Sequence, residues 1–181
     1  METTTLAEGK YLGLYSIDTW EFAARPNATG VVGILPITDG GQLVLVEQFR
    51  VPVQARVIEI PAGLVGDEEE FIDESLSECA GRELLEETGY RAGKITPLLS
   101  SPTSAGMTNE TTHFFAATDL TRETEGGGTN SEDITVHHVP LAKLISWLTD
   151  QQSRGLLIDF KIHACLCLAH QQGMISLQTT N

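Results

Sequence analysis

The sequence predicts an α/β protein in which a mixed β-sheet is covered by helices on both faces. Three observations predict it. Aliphatic and β-branched runs dominate the stretch up to residue 60, one strongly helical segment interrupts the strands near residue 80, and helical periodicity takes over beyond residue 140. The 181 residues suffice for one well-buried core, and no linker divides them.

Residues 1–7 are polar and rich in threonine, so the start of the chain is expected to fray. Residues 11–15 and 19–24 have extended character, and Asp18 can turn between them into a small N-terminal β-hairpin. We assign residues 1–28 to this segment and residues 29–181 to the main domain. Residues 30–37 (GVVGILPI) and 42–49 (QLVLVEQF) are strand-forming runs joined by Thr38-Asp39-Gly40-Gly41, whose central Asp-Gly is a turn signal. Residues 56–60 (RVIEI) alternate polar and apolar side chains until Pro61-Ala62-Gly63 breaks the pattern. Further on, residues 94–100 and 112–118 read as strands around a loop, 101–110, rich in Ser, Pro, Thr and Gly. Gly126-Gly127-Gly128 opens a flexible loop that ends at Glu132-Asp133, and residues 134–139 are another strand. Residues 141–148 and 156–170 carry apolar side chains at helical steps, with Gly173 closing the second helix.

The interrupting segment is residues 74–90, ESLSECAGRELLEETGY. Leu, Glu and Ala favour a helix, and Gly89 stands where a C-terminal stop belongs. At ~100° per residue Glu83 and Glu87 lie one turn apart on one face with Glu86 beside them, while Leu76, Cys79, Ala80 and Leu84 can face a core. Three carboxylates so close repel one another unless a cation neutralises them, and oxygen-only ligands suit Mg²⁺ or Mn²⁺ rather than zinc. The competing reading of the same residues is a solvated acidic helix face.

The spacing favours the cation. Glu74, seven intervening residues, then Arg82-Glu83-Leu84-Leu85-Glu86-Glu87-Thr88-Gly89-Tyr90 resembles the Nudix hydrolase box, with an aromatic Tyr90 in a usually aliphatic place. The glycine expected six residues before Glu74 is Glu68 here. Gly63 is the nearest counterpart, with about five extra residues between 65 and 73 lengthening the loop before the helix. The resemblance extends over roughly residues 8–170 and is closest to the ADP-ribose pyrophosphatases: Gly9-Lys10-Tyr11, Thr19-Trp20-Glu21, Gln48-Phe49-Arg50, Glu59-Ile60-Pro61-Ala62-Gly63 and loop 101–110 stand in the same order. It implies an α/β/α sandwich with a mixed central sheet, and metal on Glu83, Glu86, Glu87 and the Ala62 carbonyl. It gives Arg82 the task of orienting carboxylates.

Outside the box the residues leave alternatives open. Arg50, at a strand end before a Pro-containing loop, can reach a diphosphate or simply be a surface arginine. Tyr11 and Trp20 can stack on a purine base, as N-terminal aromatics do in similar enzymes, or anchor the hairpin. Glu21 can meet the base edge or a neighbouring subunit. By the same resemblance Glu132 binds metal or acts as general base, with Asn130 as the competing alignment, and Glu110 belongs to a second active-site loop. His113, His137, His138, His163 and His170 lack metal-ligand spacing and are expected to be structural.

Composition narrows the function further. A formal charge of −14, from 25 acidic and 11 basic residues, disfavours nucleic acid and anionic membrane as partners. Cys79, Cys165 and Cys167 lie in apolar helical surroundings and are expected to be buried thiols in a reducing cytoplasm. No export signal or apolar run long enough for a transmembrane segment is expected. The resemblance implies Mg²⁺-dependent hydrolysis of a nucleoside diphosphate linked to another moiety, foremost ADP-ribose to AMP and ribose 5-phosphate, by a homodimer. A sister activity on a sugar nucleotide such as GDP-mannose is the alternative enzyme, and a nucleotide-binding module without turnover the alternative outside enzymes.

Overall fold

The computed structural model describes residues 1–67, 69–129 and 133–176. Its N-terminal part is an antiparallel sheet of β1 (Thr3–Glu8), β2 (Gly13–Ile17) and β3 (Trp20–Ala24). The expected hairpin is its β2–β3 half, turning at Asp18 with φ 51°. Residues 3–8 do not fray: their threonines suit a pleated strand, and they pair along β2.

Eight further strands form two mixed sheets, so the expected sheet is divided. The first comprises β4 (Gly30–Pro36), β7 (Ala62–Val65), β8 (Tyr90–Pro102) and β9 (Thr111–Arg122), in the order β7-β4-β9-β8. Its β4–β9 pair is parallel. The second comprises β5 (Gln42–Arg50), β6 (Ala55–Glu59), β10 (Thr135–Pro140) and the short β11 (Leu157–Ile158), in the order β10-β5-β6-β11, with β6 and β11 parallel. The Asp-Gly turn therefore does not make a hairpin. Beyond a single bridge from Ile37 to Leu43, β4 and β5 part into different sheets.

Three helices complete the described fold: α1 (Leu76–Thr88), α2 (Leu144–Ser153) and α3 (Phe160–Gln171). Residues 156–170, expected as one helix, divide at Asp159, whose side chain accepts the Lys161 N–H at 2.8 Å and starts α3 after β11. Helical spacing of apolar residues concealed this strand, because two residues are too few to show a period.

Period-two alternation along β4 and β9 serves two cores. Val32 and Ile34 join Phe115 and Ala117 against Cys79, Ala80 and Leu84 of α1. Leu35 and Phe114, one position over, face Ile162, Cys165, Leu166 and Ala169 of α3 with Leu43, Leu45 and Ile58 of the second sheet. The sheet thus lies between α1 and α3, the α/β/α layering that the sequence implies. Full burial of a side chain such as Leu84 contributes about 2 kcal/mol, so this apolar face, more than helix propensity, fixes α1 in place.

Candidate active site

The site is built on α1, and its start is set locally. Ser75 accepts the Glu78 N–H at 3.3 Å and the Glu78 carboxylate accepts the Ser75 N–H at 2.8 Å, a reciprocal capping box. Gly89 ends the helix in the left-handed conformation at φ 77°. With both ends fixed, Arg82, Glu83, Glu86 and Glu87 stand where the sequence puts them, with Cys79 among them, its Sγ 3.5 Å from Arg82 Nη2, while Ala80 and Leu84 turn into the core.

Arg82 is the hub. Its Nε and Nη2 donate to the two oxygens of Glu74 at 3.2 and 2.8 Å, and its Nη1 donates to Glu83 at 2.8 Å and Glu86 at 3.3 Å. The long loop before α1 supplies a further contact, with the Arg82 guanidinium 4.3 Å from the Phe71 ring centroid. The Glu74 carboxylate, whose role the extra loop residues clouded, is therefore an arginine partner in this arrangement. These are charge-assisted bonds at a half-buried cation, stronger than an exposed pair.

Glu83 packs against β7 so tightly that its partner position must be glycine. A Cβ on Gly63 would lie 1.8 Å from the Glu83 carboxyl carbon. This supports Gly63 as the displaced glycine of the box. Burial, opposed by Arg82 and reinforced by Glu86 and Asp67, pushes the Glu83 carboxyl up to about 7. Glu87 is buried, and its Oε2 accepts the Ala62 N–H at 3.1 Å, which brings the Pro61-Ala62-Gly63 turn onto the helix.

Among the described residues no three His, Cys, Asp or Glu groups form a ready-made metal cage, because Arg82 now draws Glu74, Glu83 and Glu86 to itself. The donor set nonetheless suits a hard divalent cation. It is all oxygen, adjacent on one face, and includes a carboxyl that burial holds above the ordinary carboxylate range despite its bond from Arg82.

The triple glycine is not a loose hinge. Gly127 and Gly128 donate backbone N–H bonds to the carbonyls of Glu87 and Glu86 at 2.8 and 3.1 Å, and Thr124 and Glu123 bond to Gly89. Gly126 has φ 70°, and a Cβ there would lie 2.4 Å from the Thr88 carbonyl carbon. The segment caps α1, satisfying carbonyls that helix ends leave without partners. Glu132 and its competitor Asn130 lie outside the described residues.

The remaining predicted residues distribute as follows. Arg50 ends β5 and is held by Glu59, with Nε at 2.9 Å and Nη2 at 2.6 Å from Oε2. Trp20 and Glu21 are exposed on β3, and Tyr11 is exposed in the turn between β1 and β2. Glu110 is bound by Arg25 at 2.9 Å, a link between loop 101–110 and the segment after β3 that sequence reasoning missed; Ala23 also donates to the Met107 carbonyl at 2.8 Å. Tyr90 bonds His138 across the fold at 3.0 Å and His137 bonds Glu47 at 2.9 Å, in keeping with structural histidines. Cys79 and Cys165 are buried free thiols as expected, but Cys167 is exposed, because Ile162, Cys165, Leu166 and Ala169 form the buried side of α3 and Cys167 lies off it. No described helix is long and apolar enough to cross a membrane.

Comparison with known proteins bears on this arrangement. The chain is 42% identical over 93 residues to the ADP-ribose pyrophosphatase of Bacillus subtilis (strain 168), covering 50% of this chain and 46% of that protein. It is 35% identical over 135 residues to the GDP-mannose pyrophosphatase of Pectobacterium atrosepticum, covering 70% of this chain and 67% of that protein. The chain thus spans between about half and two thirds of the length of these relatives. A crystal structure of an ADP compounds hydrolase superposes with a TM-score of 0.74 over 97% of this chain and 95% of its own, at 22% identity, a likeness of fold. The NUDIX domain profile matches residues 28–160, most of the chain and the whole of the carboxylate helix with its supporting turn, and the protein belongs to the Nudix family.

Proposed function

We propose that this protein hydrolyses a nucleoside diphosphate linked to a second moiety, with ADP-ribose and water giving AMP and ribose 5-phosphate. The observation that carries the reading is the intact α1 constellation, Arg82 with Glu83, Glu86 and Glu87, joined to Ala62 through the Glu87 hydrogen bond. A non-hydrolytic module has no need of a complete carboxylate set. Glu83, Glu86, Glu87 and the Ala62 carbonyl would hold Mg²⁺, or Mn²⁺. Bound there, the cation supplies charge neutralisation at the diphosphate and a lowered pKa for a coordinated water. Arg82 keeps the carboxylates aligned, and Arg50 binds the diphosphate from the end of β5. Tyr11, Trp20 and Glu21 are assigned to the nucleoside or a subunit contact, Glu110 to the substrate loop, and Glu132 to the general base.

We place the protein in the cytoplasm, a reading that the buried free thiols of Cys79 and Cys165 support. We further propose a homodimer contacting through the N-terminal sheet, residues 1–28. That sheet exposes Leu6, Leu14 and Trp20, with Tyr11 and Leu12 in its connecting turn, more apolar surface than a small lone sheet normally leaves in water. Light scattering should give about twice the chain mass of 19.6 kDa; the monomer mass at micromolar concentration would refute the dimer.

The sugar-nucleotide reading draws on the longer alignment with the Pectobacterium relative. One screen separates the readings. ADP-ribose, GDP-mannose and about ten other nucleotide diphosphates, assayed for monoester release with Mg²⁺ and with EDTA, should show ADP-ribose turnover that EDTA abolishes. Glu86→Gln and Glu87→Gln should each lower kcat by about two orders of magnitude or more with the fold retained. Near-normal turnover in both variants would leave α1 a solvated acidic face.

A further inference from the structure

Glu59 ends β6, on the face of the second sheet that also carries Gln48 and Arg50 of β5, and it is 7% exposed. A buried carboxylate costs several kcal/mol unless hydrogen-bonded and paired, so its partners matter. Gln48 Nε2 donates to Oε2 at 3.2 Å. Arg50 adds its Nε and Nη2, which fixes the plane of the guanidinium. The opposite end of that guanidinium, Nη1, makes no hydrogen bond among the described residues, and the Arg50 side chain is 42% exposed. Three residues beyond Glu59, the Ala62 N–H bonds the Glu87 carboxylate at 3.1 Å, so the strand end that holds Arg50 adjoins the Glu87 side of the α1 patch, and the Glu87 charge reaches Arg50.

We propose that Glu59, itself held by Gln48, is a positioning residue that aims the Nη1 edge of Arg50 toward a diphosphate lying on the Glu87 side of the α1 patch. This rests on the proposed hydrolase reading and deepens it. An arginine loose at a strand end must lose side-chain entropy whenever substrate binds, whereas one already clamped on two nitrogens binds with that cost met in folding. A purely structural pair closing the end of the β5–β6 ladder would not need its arginine half-exposed beside the patch.

A double-mutant cycle in KM for ADP-ribose, at saturating Mg²⁺, tests this. Arg50→Gln, which keeps a hydrogen bond to Glu59 but removes the charge, should raise KM by about tenfold or more. Glu59→Gln should raise KM by about fivefold to tenfold with kcat within about a factor of three, and should add nothing in the Arg50→Gln background. An equal, additive effect in that background, or an unchanged KM in Glu59→Gln, would overturn the proposal. An Arg50→Gln variant with normal KM would instead remove Arg50 from the substrate and the proposal with it, while leaving the α1 chemistry to its own variants. Should Glu59→Gln fail to fold, Gln48→Leu decides: a raised KM that vanishes in the Arg50→Gln background supports the clamp, and any other result refutes it. The ¹⁵N resonance of Arg50 Nε gives a readout independent of activity, protected from solvent exchange in the native protein and exposed in Glu59→Gln.

Discussion

Glu83 is the residue on which the electrostatics of the site concentrate. Its carboxyl, pushed up to about 7 by burial, lies above the ordinary carboxylate value, so the folded protein favours the protonated form. That contribution to stability is complete below the unfolded pKa, near 4.5, and disappears as pH rises through about 7. A divalent cation binds the deprotonated form and competes with the proton. We therefore expect the Mg²⁺-induced rise in Tm to grow between about pH 5 and pH 7.5, and Glu83→Gln to flatten the EDTA curve across that window. Scanning fluorimetry of both proteins checks this; a native gain independent of pH would place the cation away from Glu83. The carboxylates themselves were legible in the sequence because helical spacing alone groups them. Their arginine and backbone partners were less so. Glu59 with Arg50, and Arg25 with Glu110, meet only through sheet pairing and loop packing, which leave no periodic trace.

At the level of elements, α1 is held by different devices at its two ends. The capping box is local, so Ser75→Ala should cost about 1 kcal/mol and leave kcat unchanged. The other end is held by a distant segment. Gly126→Ala combines a positive φ with a close approach to Thr88, and should cost at least about 2 kcal/mol, a Tm loss of about 4–8 °C. It should also lower kcat, since Gly127 and Gly128 secure the backbone of Glu87 and Glu86. Equal kcat values in the two variants would show that the cap plays no part in the site. The C-terminal stop of α1 was read from Gly89, whereas the capping box of Ser75 and Glu78 came to light only in the structure. The triple glycine was readable as an irregular segment, but composition cannot distinguish a flexible loop from one whose glycines admit a close neighbour. β1 and β11 escaped for a simpler reason, since a Thr-rich terminus and a two-residue strand carry little hydrophobic pattern.

For the whole molecule, the decisive sequence signal was order: strands, one acidic helix, strands, then helices. It conveyed the layers, but not the division into two sheets, because pairing partners far apart in sequence are chosen by packing. That division leaves β4 and β9 with cores on both faces, and Phe114 and Phe115, neighbours in the chain, turn to opposite sides. The two halves consequently share their central strands, and we expect them to open together. Deuterium uptake offers a way to see this: amides of α3 should exchange only by global opening, and Mg²⁺ added at α1 should slow them as much as it slows α1 itself, although α3 lies across the sheet. Ligand bound on one face would thereby act as a lock on the amides of the other.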